Sequence, residues 1–66
     1  MSQTKQQLKD NFIALFSKHE GSTLTWNDLK TDEEKNKELK LLLTDMKQQH
    51  PSEIEVVDSI ILELSS

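Results

Sequence analysis

The stretch PSEIEVVDSIILEL, residues 51–64, decides the fold class, because its composition is compatible with a strand as well as with a helix. Its isoleucines and valines are β-branched, and such residues favour strands. A half-buried strand, however, requires apolar and polar residues to alternate strictly. Alternation fails here, since Val56–Val57 and residues 60–62 are unbroken apolar runs. The pattern therefore disfavours a strand.

The same stretch carries the start signal and the spacing of a helix. Ser52 followed by Glu55 matches a capping box, in which the serine oxygen accepts a backbone N–H and the glutamate bonds back to the backbone of the serine. Apolar side chains recur at the spacing of one helix face, at Ile54, Val57, Ile61 and Leu64, with Ile60 alongside. We predict a helix near residues 52–64.

Two further helices are predicted upstream. One, near residues 3–19, stops before Gly21, the only glycine. Its apolar face consists of Leu8, Phe12, Leu15 and Phe16. The other, near residues 32–49, opens with a capping box formed by Thr31 and Glu34. Its apolar stripe lies in its second half and consists of Leu39, Leu42, Leu43 and Met46.

Residues 22–29 connect the first two helices. Their sequence predicts one short helical turn around Trp26, and we expect their apolar residues to cover one end of the core. These residues are Leu24, Trp26 and Leu29. The elements together predict an all-α fold, a small three-helix bundle with a short helical turn between helices 1 and 2. We expect a single helical domain over residues 1–66. Its core should contain the residues nearest the stripe centres, Phe12, Phe16, Leu43 and Ile61.

Composition limits both the means of stabilisation and the class of partner. The 66 residues include no cysteine, so neither a disulfide nor a thiolate metal site supports the fold. The net charge is −4, and all eight basic residues are lysines. Direct nucleic-acid binding is disfavoured, because phosphate recognition calls for a basic surface and favours arginine. The charge is also uneven, +2 over residues 1–19 and −4 over residues 48–66, so we expect the two ends to attract each other.

A nucleic-acid-associated role stays open as the alternative function. Residues 24–29 and 32–48 can be drawn as a helix-turn-helix, but the reading helix would begin with Asp32, Glu33 and Glu34, which phosphate repels. A carboxylate-rich helix face could instead imitate DNA. In either case we expect direct binding to nucleic acid to be weak or absent.

Candidates for catalysis or metal binding are few. His19 and His50 are the only histidines, both lie at predicted helix ends, and neither belongs to a ligand-spaced motif. The helix near residues 32–49 begins with a surface that is polar all round, which predicts a solvated face rather than an acid–base pair. Its carboxylates are Asp32, Glu33, Glu34 and Glu38. We predict no catalytic residue, no metal site, no cofactor and no small-molecule substrate.

The sequence gives no indication of a membrane segment or a targeting segment. The longest apolar run, Phe12–Phe16, is five residues, and spanning a bilayer takes about 20. The first residues, MSQTKQQLKDN, lack the apolar segment of a signal peptide. With cysteine absent as well, we expect a cytoplasmic protein that does not bind membranes.

Apolar residues outside the main stripes are the remaining functional signal. Ile13, Leu41 and Val56 lie roughly 100° or more from the centres of their stripes, and Ile60 widens the apolar arc of the last helix. Either the edges of the bundle cover these residues, or they form a second surface for a protein partner or another copy of the chain. The predicted function is a small non-enzymatic interaction module or regulator that acts through an apolar helical surface.

Overall fold

A computed structural model describes residues 4–66 and contains only helices, turns and loops in that range. The helices are α1 (Lys5–Glu20), α2 (Trp26–Thr31), α3 (Glu33–Gln49) and α4 (Ile54–Ser65), with a 3₁₀ turn at Pro51–Glu53 before α4. The prediction of a small all-α bundle is confirmed, and the turn expected around Trp26 is the short helix α2. The doubtful stretch at the end of the chain is helical.

α1 is closed at both ends by local hydrogen bonds. At its start, Thr4 Oγ1 accepts the backbone N–H of Gln7 at 3.1 Å, while Gln7 Oε1 accepts the backbone N–H of Thr4 at 3.0 Å. This capping box was not predicted from the sequence. At its end, Gly21 adopts φ 78°, a left-handed conformation that favours glycine, and its N–H donates to the Ser17 carbonyl at 2.9 Å. The predicted stop is confirmed.

The predicted capping box at Thr31 is wrong. Thr31 is the last residue of α2, and its hydroxyl donates to the carbonyl of Asn27 at 2.8 Å. Asp32 caps α3 instead, accepting the backbone N–H of Lys35 at 3.0 Å. The reason is that Thr31 belongs to α2, which begins with its own capping box formed by Thr25 and Asp28, and the Thr31 hydroxyl is already bonded within that helix.

The second predicted capping box, at Ser52 and Glu55, is also wrong. Residues 51–53 form the 3₁₀ turn, and α4 begins without a side-chain cap. Pro51 presets the backbone angle and has no N–H that needs a partner. The N–H of Glu53 donates to the His50 carbonyl at 2.9 Å. The 3₁₀ turn therefore satisfies a backbone N–H near the start of the helix, which the Ser52 side chain was expected to do.

The core is made of large apolar side chains from every α-helix. Its buried members are Leu8, Phe16, Leu29, Leu39, Leu43, Val57, Ile60 and Leu64. Of the four predicted core residues, Phe16 and Leu43 are buried, whereas Phe12 and Ile61 are partly exposed and pack against the cluster. Ile60 has no exposed surface. The buried arc of α4 is therefore centred one residue earlier than the sequence spacing suggested.

The last helix, α4, contacts both of the other long helices. It packs against both α1 and α3, while α2 packs mainly against α3, and α1 and α3 approach each other far less closely than either approaches α4. Asn36 in α3 links three helices by hydrogen bonds. Its Nδ2 donates to the carbonyl of Lys30 in α2 at 3.1 Å and to the carbonyl of Leu64 in α4 at 3.0 Å. Because α1 and α3 pack more closely on α4 than on each other, an open side is left between them.

The uneven charge of the sequence contributes to the packing, as expected. Glu63 near the end of α4 forms ion pairs with Lys5 at 2.6 Å and Lys9 at 2.8 Å, both on α1. Hydrogen bonds from these two lysines hold the pKa of Glu63 down at about 2. Lys9 also lies over the Trp26 ring, with Nζ 4.6 Å from the centroid. These contacts tie α1 to α2 and α4.

Candidate interaction surface

The four residues predicted to form an interaction surface do not lie on one exposed patch. Leu41 is 64% exposed on α3, whereas Ile13 and Val56 are partly buried and pack against the core. Ile60, which was predicted to widen the apolar arc of the last helix, is fully buried and cannot contribute to an exposed surface, because α4 packs against both α1 and α3. Among these residues, only Leu41 presents a large apolar surface to solvent.

The structure exposes other large apolar side chains in place of the predicted ones. The exposed set is Leu15, Leu41, Leu42, Ile54 and Leu62. Leu15 and Leu42 are 53% and 39% exposed, although both belong to stripes that predicted core positions. They lose their cover because α1 and α3 pack more closely on α4 than on each other. Spacing alone places a residue on a stripe but does not show whether a neighbour covers it.

Leu15 and Leu42 face one cavity, which we call the α1–α3 groove. It has a volume of about 220 Å³ and is lined by Leu15, Phe16, His19 and Glu20 from α1 and by Lys35, Glu38 and Leu42 from α3. Phe16 is only 8% exposed, so it lines the groove from the side of the core. The groove is therefore an apolar depression with charged groups at its edges.

Lys35 bridges the two helices at this groove. Its Nζ lies 3.1 Å from Glu20 Oε2 on α1 and 3.4 Å from Asp32 Oδ2. The hydrogen bond to Glu20 raises the pKa of Lys35, and the backbone N–H of Lys35 lowers the pKa of Asp32. Lys35 thus stays protonated and paired.

The lining of the groove carries charges of both signs. α1 contributes Glu20, and α3 contributes Lys35 and Glu38. Glu20 and Lys35 form an ion pair with each other, whereas Glu38 forms none within residues 4–66. The Glu38 carboxylate is therefore available to a molecule that covers the groove.

The size and lining of the groove limit what it can bind. Pockets for small molecules usually measure about 300–1,000 Å³, and this one is smaller at about 220 Å³. A cavity of about 150 Å³ already holds a benzene-sized group, so the groove suits one or two apolar side chains. Over residues 4–66, no group of three histidine or acidic residues is arranged to hold a metal ion.

His19 lines the groove, whereas His50 follows the end of α3 and donates its backbone N–H to the Met46 carbonyl. No helix among residues 4–66 combines the length and hydropathy needed to cross a bilayer. Comparison of the chain with protein-family models, with curated proteins and with solved structures finds no match.

Proposed function

We propose that this chain is a small non-enzymatic interaction module that binds a polypeptide through the α1–α3 groove. The observation that carries the proposal is the pair of half-covered leucines, Leu15 on α1 and Leu42 on α3, that line the same apolar depression. Leu41 extends the apolar surface on the outer side of α3. Uncovered apolar area on so small a domain is typical of a protein-binding surface.

The chemistry of the lining supports binding rather than catalysis. The side-chain amine of Lys35 is the candidate nucleophile in the lining, but its two carboxylate partners keep this amine protonated. Glu20 is engaged in that same ion pair. His19 and Glu38 have no adjacent hydroxyl or thiol in the lining for them to activate. The groove therefore offers shape, apolar area and rim charge, which are what a polypeptide side chain recognises.

Affinity capture with matched variants tests the proposal. The parent, a Leu15→Ser, Leu42→Ser double variant and a Leu62→Ser control are each immobilised and exposed to extract of the source cells. Leu62 is 73% exposed on α4, outside the groove lining, so its substitution matches the chemistry without altering the groove. Bound proteins are identified by mass spectrometry, and circular dichroism checks that all three are folded.

We expect the parent and the Leu62→Ser control to retain the same proteins and the double variant to lose them. Retention of the same proteins at the same level by all three would show that the groove is not the binding surface. Loss only in the Leu62→Ser variant would move the binding surface to α4.

A further inference from the structure

We propose that the occupant of the α1–α3 groove is a basic amphipathic helix of another protein. One large apolar side chain of this helix enters the groove, and lysine or arginine side chains about one turn away pair with carboxylates of α3. This inference rests on the proposed function and names the chemistry of the partner.

The volume of the groove sets the size of the side chain that enters it. Leu15 and Leu42 are its walls, and the nearly buried Phe16 closes its inner side, so the filling group must come from a molecule outside. The cavity measures about 220 Å³, and one of about 150 Å³ already holds a benzene-sized group. One side chain of leucine or phenylalanine size therefore fits. Amphipathic helices present such anchors to apolar grooves.

Glu38 decides the charge of the occupant. It belongs to the lining and lies one turn before Leu42 on the same helix face. A molecule that covers the groove takes water away from this carboxylate, which is costly unless a new partner replaces the water. Lys35, the lysine of the lining, is already paired with Glu20 and Asp32. The occupant must therefore bring its own cation, and an acidic or entirely apolar segment is disfavoured.

Carboxylates continue along α3 beside the groove. Glu34, Glu38 and Asp45 fall within about 40° of one another around the helix, at 100° per residue, and we call them the acidic edge. All three are exposed, and none forms an ion pair within residues 4–66. Asp45 accepts a hydrogen bond from the Gln49 amide at 3.0 Å, which leaves its charge in place. The edge is about 17 Å long, which matches three turns of a helix that carries basic residues on one side.

Selection from a phage-displayed library of random 12-residue peptides tests the inference. Peptides are selected on the immobilised parent, and those that also bind the Leu15→Ser, Leu42→Ser variant are removed. We expect the recovered peptides to carry lysine or arginine three or four residues from a large apolar residue. Recovered peptides with no enrichment of basic residues over the starting library would overturn the inference. So would a failure to recover any peptide that distinguishes the parent from the variant.

Matched charge variants locate the pairing. The most frequent recovered peptide is synthesised with a fluorescent label, and its dissociation constant is measured by anisotropy. Glu34→Gln, Glu38→Gln should weaken binding about fivefold, as expected for two partly exposed ion pairs. The control Glu33→Gln, Glu55→Gln has the same net charge, but its sites lie on the far side of α3 and on α4, both exposed. It should leave binding unchanged. Equal weakening in both variants would show that net charge alone attracts the peptide and would overturn the inference.

The results separate this inference from the proposed function. Leucine-dependent capture of proteins from the extract, together with selected peptides that lack basic residues, would leave the interaction module standing and overturn the basic helix as occupant. Capture that does not depend on Leu15 and Leu42 would overturn the proposed function itself. Sedimentation equilibrium on the parent adds one further outcome. Self-association that the two leucine substitutions abolish would make a second copy the occupant and overturn the inference.

Discussion

The consecutive leucines of α3 give a graded test of the packing. Leu41, Leu42 and Leu43 are 64%, 39% and 0% exposed, so the same Leu→Ala change at each position removes different amounts of buried surface. Truncation of a fully buried leucine loses about 2.4 kcal/mol of transfer free energy, with a further cavity contribution where the site cannot collapse. Scaled by burial, we expect losses of about 1 kcal/mol or less at Leu41, about 1.5 kcal/mol at Leu42 and about 3–4 kcal/mol at Leu43.

Urea unfolding followed by circular dichroism measures these three losses. A chain of this length has a total stability of about 3–10 kcal/mol, so Leu43→Ala should be marginally folded and the other two clearly folded. The slope of free energy against urea should stay constant, which licenses comparison of the midpoints. Equal losses at Leu41 and Leu43, or the reverse order, would refute the orientation of α3 and with it the position of the groove.

Three other outcomes are expected. Glu63 has its pKa lowered from 4.5 to about 2, so its contribution to stability is present above pH 4.5 and is lost as the pH falls towards 2. Acid titration of unfolding should show this loss, about 1 kcal/mol after solvent screening, and Glu63→Gln should abolish it. Asn36→Ala should cost about 1–3 kcal/mol in urea unfolding, because it removes the side-chain donor to the Leu64 carbonyl; an unchanged midpoint would contradict this. Fluorescence anisotropy should detect no sub-micromolar binding to duplex DNA at about 150 mM salt, since the basic residues are all lysines and α3 begins with acids.

Helical periodicity predicted the fold class because each long helix carries one dominant apolar stripe. The same periodicity also placed Phe16 and Leu43 correctly in the core. Both lie near the centre of their apolar stripe, so any helix that packs on the stripe covers them. The caps at Thr31 and Ser52 could not be fixed in the same way. Each lies within a competing local structure, which is the end of α2 for Thr31 and the 3₁₀ turn for Ser52. The sequence pattern of a cap looks the same whether the residue caps a helix or lies in such a structure.

The groove could not be predicted, because it depends on which helices face each other. Ile60 was predicted beside the main stripe of its helix but is fully buried, since α4 has neighbours on two sides. Leu15 and Leu42 lie on the predicted apolar stripes but are exposed, since α1 and α3 pack more closely on α4 than on each other. Spacing fixes the direction of a side chain around its own helix, whereas cover depends on the packing of three helices at once.

Nuclear magnetic resonance of the ¹⁵N-labelled protein, titrated with a protein recovered by the affinity capture, tests the central claim most directly, because it locates the contact surface residue by residue without any substitution. We predict shifts confined to amides along the α1–α3 groove, around Leu15, His19, Glu38 and Leu42, with the amide of Leu62 on α4 unchanged. Spectra that do not change on titration, or shifts centred on α4, would contradict the claim that the groove binds a polypeptide.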